Sequence, residues 1–322
     1  MEALAVKSTR GAALERRLVR RSRLLDAIAG SARRTVLLVA PAGYGKTTLA
    51  RQWLEVAGGS WVGLSTASAD VPVLAREVGR ALSDLRDFDL GRVEGALSAA
   101  KTPPDQAKAV AHAILAQIQT PLDGWIVLDD YHLLGHSPPA EDLIGLLERS
   151  GRLKLLVASR ARPQWATSRR RVHLGTFEIG AAQLALDDEE VAELIPSSRK
   201  TAALKRQARG WPAVIALAAY ADSSSIPSDI NAFSARLYDY FAEELYEHAP
   251  EDVRRFLTTL AVLPPLDVAD LDEILKGADT GVRVAGTGLA YESDGRIVVH
   301  PLAQAFLRSK LRAQEDALDV VT

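Results

Sequence analysis

The pattern of hydrophobic and polar positions changes character near residue 184. Before it, short uncharged runs alternate with amphipathic stretches. Val36–Val39, Trp61–Leu64, Trp125–Leu128 and Leu153–Ala158 are apolar without alternation, the mark of strands buried on both faces, and Arg171–Leu174 is a weaker fifth candidate. Between them, Lys46–Trp53, Val73–Leu85 and Asp105–Gln119 place apolar residues at helical spacing, as in Val110, Ile114, Leu115 and Ile118. Arg23–Ile28 opens a helix ahead of the first strand, whereas Asp87–Pro104 is polar, rich in small residues and weakly patterned. Strands alternating with helices predict an α/β domain whose parallel sheet is covered on both sides. From about Leu184 helices take over. Asp187–Leu194 has an acidic first turn, Thr201–Arg209 follows, and Gly210-Trp211-Pro212 interrupts before Ala213–Ala221. Ala221–Ser228 reads as a linker. Ala232–Glu247, Glu251–Val262 and Val268–Leu275 are then helical. Leu289–Glu292 and Arg296–Val299 flank Ser293-Asp294-Gly295 as a β-hairpin, and His300-Pro301 opens a closing helix. That last set suggests a winged-helix domain. The division expected is an N-terminal segment 1–34, an α/β core 35–180, a small helical domain 181–228 and a winged helix 229–322.

Composition narrows this only a little. A chain of 322 residues is long enough for two or three domains. The 48% hydrophobic and 25% charged content is ordinary for a globular protein, and a formal charge of −2 does not advertise nucleic acid or a membrane surface. With no cysteine there is no disulfide framework, thiolate metal site or cysteine nucleophile, which fits a reducing compartment. Met1-Glu2-Ala3 does not begin a signal-peptide pattern, and the longest apolar runs, such as Trp211–Ala221, are too short to span a bilayer. The expectation is a cytoplasmic protein with no membrane partner.

The chemistry starts at Thr35–Trp53, a buried strand, a glycine-containing turn and a helix opening on Gly-Lys-Thr. This is the form of a phosphate-binding P-loop. Backbone N–H groups of Ala42, Gly43, Tyr44 and Gly45, in the loop that Pro41 opens, with Lys46, Thr47 and Thr48 beginning the helix, would cradle the phosphates of ATP or ADP at the positive end of the helix dipole. Lys46 would reach the β/γ-phosphates, and the Thr47 hydroxyl would coordinate Mg²⁺. Ala40 stands where the pattern has its first glycine. Ile126-Val127-Leu128-Asp129-Asp130 is a buried strand ending in two carboxylates: Asp129 would hold Mg²⁺, directly or through water, and Asp130 would polarise the attacking water. About eighty residues from Lys46 to Asp129 leave room for an additional strand, favouring additional-strand ATPases over compact nucleotide kinases. Arg160, at the end of another strand, is placed to sense a γ-phosphate. Ligands in such sheets sit at the carboxyl ends of strands, where Ala40–Lys46, Asp129-Asp130 and Arg160 all fall. His132 and His136, four apart beside the carboxylates, raise the idea of a transition-metal site, but Gly135 and Ser-Pro-Pro oppose a helix there and no third ligand is evident. The cluster Arg16, Arg17, Arg20, Arg21 and Arg23 is either a solvated basic segment or one that closes over the nucleotide base.

Taken together, these motifs resemble the signal-transduction ATPases with numerous domains (the STAND class), in particular its MalT-like branch of large LuxR-family regulators. The resemblance lies in A-P-A-G-Y-G-K-T-T-L at Ala40–Leu49, L-D-D-Y-H-L-L at Leu128–Leu134, A-S-R-A-R-P at Ala158–Pro163, Gly210-Trp211-Pro212 and Val298-Val299-His300-Pro301-Leu302. Arg20-Arg21-Ser22-Arg23-Leu24-Leu25 resembles the family's segment that lies against the adenine, so Arg20 joins the candidate nucleotide contacts. The resemblance implies a nucleotide-binding oligomerisation module: an additional-strand P-loop core, a small helical domain and a winged helix. It implies that Pro212 packs near the adenine and His300 contacts the β-phosphate of ADP. It further implies that ADP holds a closed monomer, while ATP and an inducer open it for self-association. The family's superhelical repeats and terminal helix-turn-helix do not occur in this sequence, which reads as a fragment or a shortened relative. Inducer sensing, and DNA binding through that helix-turn-helix, would then lie outside it.

Two other functions compete with a slow ATP-driven switch. One is a DNA-acting ATPase that binds duplex through its winged helix, for which Arg283, Arg308, Lys310 and Arg312 offer a few basic residues. The other is a small-molecule kinase, against which the Asp-Asp pair suits attack by water better.

Overall fold

A computed structural model describes residues 19–167, 175–195, 208, 210–220, 246–247, 249–264, 266–267, 270, 284, 287, 289–293, 296–299, 303–304 and 306–312. Two compact units result. The first comprises Ser22–Ala40 with Lys46–Leu184. The second comprises Pro41–Gly45 and the described residues up to Arg21 and from Ala185 onward.

In the first unit, α1 (Ser22–Ser31) leads into β1 (Thr35–Val39), and α2 (Lys46–Ala57) into β2 (Gly59–Gly63). Next come α3 (Val71–Leu85), α4 (Leu90–Ala99), α5 (Pro103–Gln117) and β3 (Trp125–Asp129). A 3₁₀ turn at Tyr131–Leu134, α6 (Pro138–Arg149), β4 (Lys154–Ser159), β5 (Thr176–Gly180) and the short α7 (Ala181–Leu184) complete it. The five strands pair in parallel in the order β2-β3-β4-β1-β5. This is the parallel α/β sheet of a P-loop ATPase, with β4 inserted between the P-loop strand β1 and β3. The inserted strand follows Asp129 in sequence; the stretch from Lys46 to Asp129 holds β2 and the four helices α2 to α5. Alternate residues divide the sheet. Leu37, Ile126, Leu128, Leu155 and Val157 pack with Leu74, Val78, Val110, Ile114, Leu143 and Ile144 of α3, α5 and α6. Val36, Leu38, Val127 and Leu156, buried as well, point the other way, as the strand's period of two requires.

Local chemistry sets the boundaries. Thr102 and Ser137 cap α5 and α6, each ahead of a Pro-Pro pair, where missing N–H groups cost least. Ser-Pro-Pro therefore starts a helix at Pro138 while excluding one over His132–His136. The weakly patterned stretch after Asp87 contains α4, capped by Asp89 and held by Val93 and Leu97, both buried. Its two anchors, one turn apart, leave too faint a period to read. The fifth strand is Thr176–Gly180; the weaker candidate Arg171–Leu174 lies outside the described residues.

In the second unit, α8 (Asp188–Leu194), α9 (Pro212–Tyr220) and α10 (Glu251–Leu260) accompany a small antiparallel sheet, β6 (Leu266–Asp267), β7 (Ala290–Ser293) and β8 (Arg296–Val299), in the order β6-β8-β7. Ala290 pairs with Val299 and Ser293 with Arg296, the register of the expected hairpin. Trp211, Val214, Ile215, Val253, Leu257, Ile297 and Leu307 are among its core. Most of the helices expected over Thr201–Arg209, Ala232–Glu247 and Val268–Leu275 lie outside the described residues, as do His300-Pro301, so the described residues do not define a winged helix.

Candidate functional site

β1 ends at Val39, and the Ala40 N–H donates to Ser159 O at 3.2 Å, extending the ladder by one step. Ala40 is buried, and its φ is not among the positive ones, so this position does not need glycine. Its carbonyl accepts from Lys46 Nζ at 2.7 Å. Lys46 is buried in the first turn of α2, and burial, reinforced by the charge of Arg160, lowers its pKa to about 8. Asp129 and Asp130 act in the opposite sense. These charges converge at the carboxyl ends of β1, β3 and β4.

The Thr47 hydroxyl donates to Asp129, at 2.9 Å to Oδ2 and 3.2 Å to Oδ1. Burial raises the Asp129 carboxyl above its ordinary value against the pull of that hydroxyl. A hydroxyl and a carboxylate this close form an all-oxygen donor pair. It fits Mg²⁺, which keeps several waters and takes the rest of its ligands from substrate phosphates. Among the described residues no group of three or more His, Cys, Asp or Glu could hold a metal by itself. His132, His136, Asp129 and Asp130 do not come together as such a group. His132 is half-buried in the 3₁₀ turn, its pKa lowered to about 4 by burial and then by Arg160, while His136 is exposed.

Asp130 is exposed and left-handed, with φ 56° and ψ 35°. Aspartate tolerates that region better than most residues, and such backbone strain tends to collect at functional positions. The kink directs the chain into the 3₁₀ turn and leaves the second carboxylate at the strand's end. Arg160 follows Ser159 directly and is half-buried. Thr48 lies on α2 behind Thr47.

In the second unit, the loop Pro41–Gly45 meets the Gly210-Trp211-Pro212 segment. Gly43 and Gly45 both have φ of +76°. A side chain at Gly43 would begin 2.7 Å from Trp211 Nε1 and 2.8 Å from Ala213 Cβ, so both conformation and space demand glycine. The Ala213 N–H donates to Gly43 O at 3.0 Å, and the Trp211 indole to Ala42 O at 3.3 Å. Tyr44 stacks on Trp211, with centroids 6.1 Å apart. Pro212, expected near the adenine, begins α9 beside these contacts. Arg20 is exposed, and its neighbour Arg21 is the buried one. Arg21 pairs with Glu190 at 2.9 Å, donates to Ala185 O at 3.3 Å, and has Nη1 3.9 Å from where a side chain at Gly45 would begin. The arginine cluster alone could not single it out; the signal was Glu190, the N3 acid of a capping box nearly 170 residues away. His300 lies outside the described residues.

The sheet order, the P-loop and the carboxylates at the end of β3 are those of the P-loop ATPase fold. No family model matches the chain. It is 29% identical over 276 residues to the HTH-type transcriptional regulator MalT of Vibrio parahaemolyticus, a match covering 80% of this chain and 30% of that protein. It is 26% identical over 281 residues to the serine/threonine-protein kinase PknK of Mycobacterium tuberculosis, covering 76% of this chain and 24% of that one. Among solved structures, a Walker-type ATPase of Pyrococcus abyssi shares the fold at 12% identity, with a TM-score of 0.56, covering 90% of this chain and 96% of that chain. Within the P-loop ATPases the chain is thus MalT-like, in keeping with the STAND resemblance of its motifs, and it spans about 30% of the length of the MalT relative. No helix among the described residues is long and apolar enough to cross a membrane.

Proposed function

We propose that this chain is the ATP/ADP-dependent switch of a MalT-like transcriptional regulator. ADP holds a closed resting form, ATP an open form competent for self-association, and slow hydrolysis returns one to the other. The observation that carries this reading is the Thr47–Asp129 pair beside Lys46, with Asp130 and Arg160 at the adjoining strand ends. Mg²⁺, where bound, would be held by Thr47 and Asp129 and would offset charge on the phosphates. Lys46 turns from the Ala40 carbonyl to the β/γ-phosphates, Asp130 takes a proton from the attacking water, and Arg160 meets the γ-phosphate. On the base side, Pro212 packs against the adenine with Arg20 nearby, and His300 contacts the β-phosphate of ADP. The small antiparallel sheet and α10 belong, in this reading, to a winged helix that follows a small helical domain. Inducer sensing and DNA reading are assigned to segments outside this chain. No arginine finger is assigned here in cis; since such a finger is worth about 10³–10⁵ in rate, turnover should be slow.

The alternative of duplex binding through the last helix draws little support. Arg308 Nε donates to Ala261 O at 2.9 Å, and Lys310 lies 3.8 Å from Glu247 and over the ring of Phe306, so both are engaged within their own unit. The test of the switch is the nucleotide that co-purifies, released by denaturation and resolved by anion exchange, together with light scattering after exchange. Retained ADP, a monomer with ADP and a larger species with a non-hydrolysable ATP analogue are expected. A nucleotide-free protein of unchanged mass would reject the switch.

A further inference from the structure

Glu141 has no part in the steps above, yet it is the best-sealed carboxyl near them. It sits in the first turn of α6 at 4% exposure. Its Oε2 accepts from the Tyr131 phenol at 3.2 Å and from the Gln164 backbone N–H at 3.2 Å. The Trp165 indole donates to the same phenol oxygen at 2.8 Å and meets its ring edge-on. Gln164 Nε2 donates back to Gly135 O at 2.9 Å. Tyr131 immediately follows Asp130, and Gln164-Trp165 follow Arg160 by four and five residues. One buried acid therefore joins the turn that leaves the water-side carboxylate to the segment that leaves the γ-phosphate cation.

We propose that Glu141 is a positioning residue for ATP hydrolysis, holding those two segments as one piece so that Asp130 and Arg160 keep a fixed spacing. The inference rests on the ATPase reading above. Packing alone does not account for a carboxyl here. The groups that bear on it are Tyr131 from the 3₁₀ turn, the N–H groups of Gln164 and Trp165, and Asp142 on its own helix, which repels it. Arg162 of the neighbouring segment pairs with Glu178. Burial lifts Glu141 from its ordinary 4.5 to about 7. A carboxyl with a raised folded value stabilises the fold least once ionised, so stability is lost as pH rises from 4.5 toward 7. Glutamine would fill the space without that loss, so stability alone does not explain an acid at this position. The ionised form accepts more strongly from the Tyr131 phenol and the Gln164 N–H than the protonated form does, so turnover should rise with pH through neutrality.

The test uses the full chain with Glu141→Gln and Tyr131→Phe, the latter removing the hydroxyl that links both arms. Single-turnover hydrolysis of pre-bound Mg-ATP is followed from roughly pH 5.5 to 8.5, with nucleotide affinity and thermal midpoint alongside. At pH 8, E141Q should lose about tenfold or more in rate, keep its affinity and unfold no earlier than the parent, and its rate should no longer climb through neutrality. Y131F should lose rate with affinity retained, and it decides the matter if E141Q does not fold. An unchanged rate and pH profile, or rate, affinity and midpoint falling together, would overturn the proposal. An unsubstituted chain that hydrolyses no ATP sinks the ATPase reading and this inference with it; a parent that hydrolyses beside an equally active E141Q sinks the inference alone.

Discussion

At Lys46 and Asp130 the expected losses are of different kinds. Lys46→Ala removes a buried cation from the end of β1, so ATP and ADP binding should vanish in a fluorescent-nucleotide titration while the fold persists. Asp130→Ala should leave Mg-ATP bound and slow its hydrolysis in a single-turnover assay, because the exposed carboxylate makes no structural contact as a helix cap. Gly43→Ala tests the loop itself. A φ of +76° strains any L side chain by about 1–3 kcal/mol, and the new Cβ would crowd Trp211 Nε1 as well. A lowered thermal midpoint and weakened nucleotide binding are expected together. At this scale the sequence was readable wherever chemistry fixes residue order: Gly-Lys-Thr and Asp-Asp need their neighbours in the chain and little else. Ala40 was not, because the pattern expects glycine there and only the backbone shows an ordinary φ with both peptide groups already bonded. Nor was Arg21. Two adjacent arginines look alike in sequence, and burial of one follows from a partner on a distant helix.

Elements were legible in proportion to their apolar period. The central strands and α3 announced themselves, whereas α4 rests on two anchors and a cap and left almost no trace. The order of strands was out of reach, since nothing local tells β4 to lie between β1 and β3. The start of α8 illustrates how a cap reaches beyond its helix. Asp187 accepts from the N–H groups of Glu189 and Glu190, and Glu190 closes the box on the Asp187 N–H while pairing with Arg21. Replacing Arg21 with alanine takes the guanidinium from a pair that is 5% and 7% exposed, and breaking such a buried pair costs about 3–5 kcal/mol. Arg20→Ala, at an exposed position, should change stability by no more than about 0.5 kcal/mol. Urea unfolding of the two variants separates them, and equal effects would mean that the wrong arginine has been placed in the interior.

For the whole molecule, the sequence predicts an α/β part followed by helical ones; the loop Pro41–Gly45 falls on the other side of the structural division from the strand and helix that flank it. A segmentation by sequence cannot express this, because it cuts a chain into consecutive pieces. The contacts behind it are two hydrogen bonds from Trp211 and Ala213 to loop carbonyls, and residue patterns do not reveal main-chain acceptors. If the loop holds phosphate, nucleotide binding must stabilise the folded chain by mass action. At a hundredfold excess over Kd the gain is about 2.7 kcal/mol, rising to about 4.1 kcal/mol at a thousandfold. The thermal midpoint should therefore climb with ADP concentration in the parent chain and stay flat in Lys46→Ala. A Lys46→Ala midpoint that rises with ADP as the parent's does would place the nucleotide away from the P-loop.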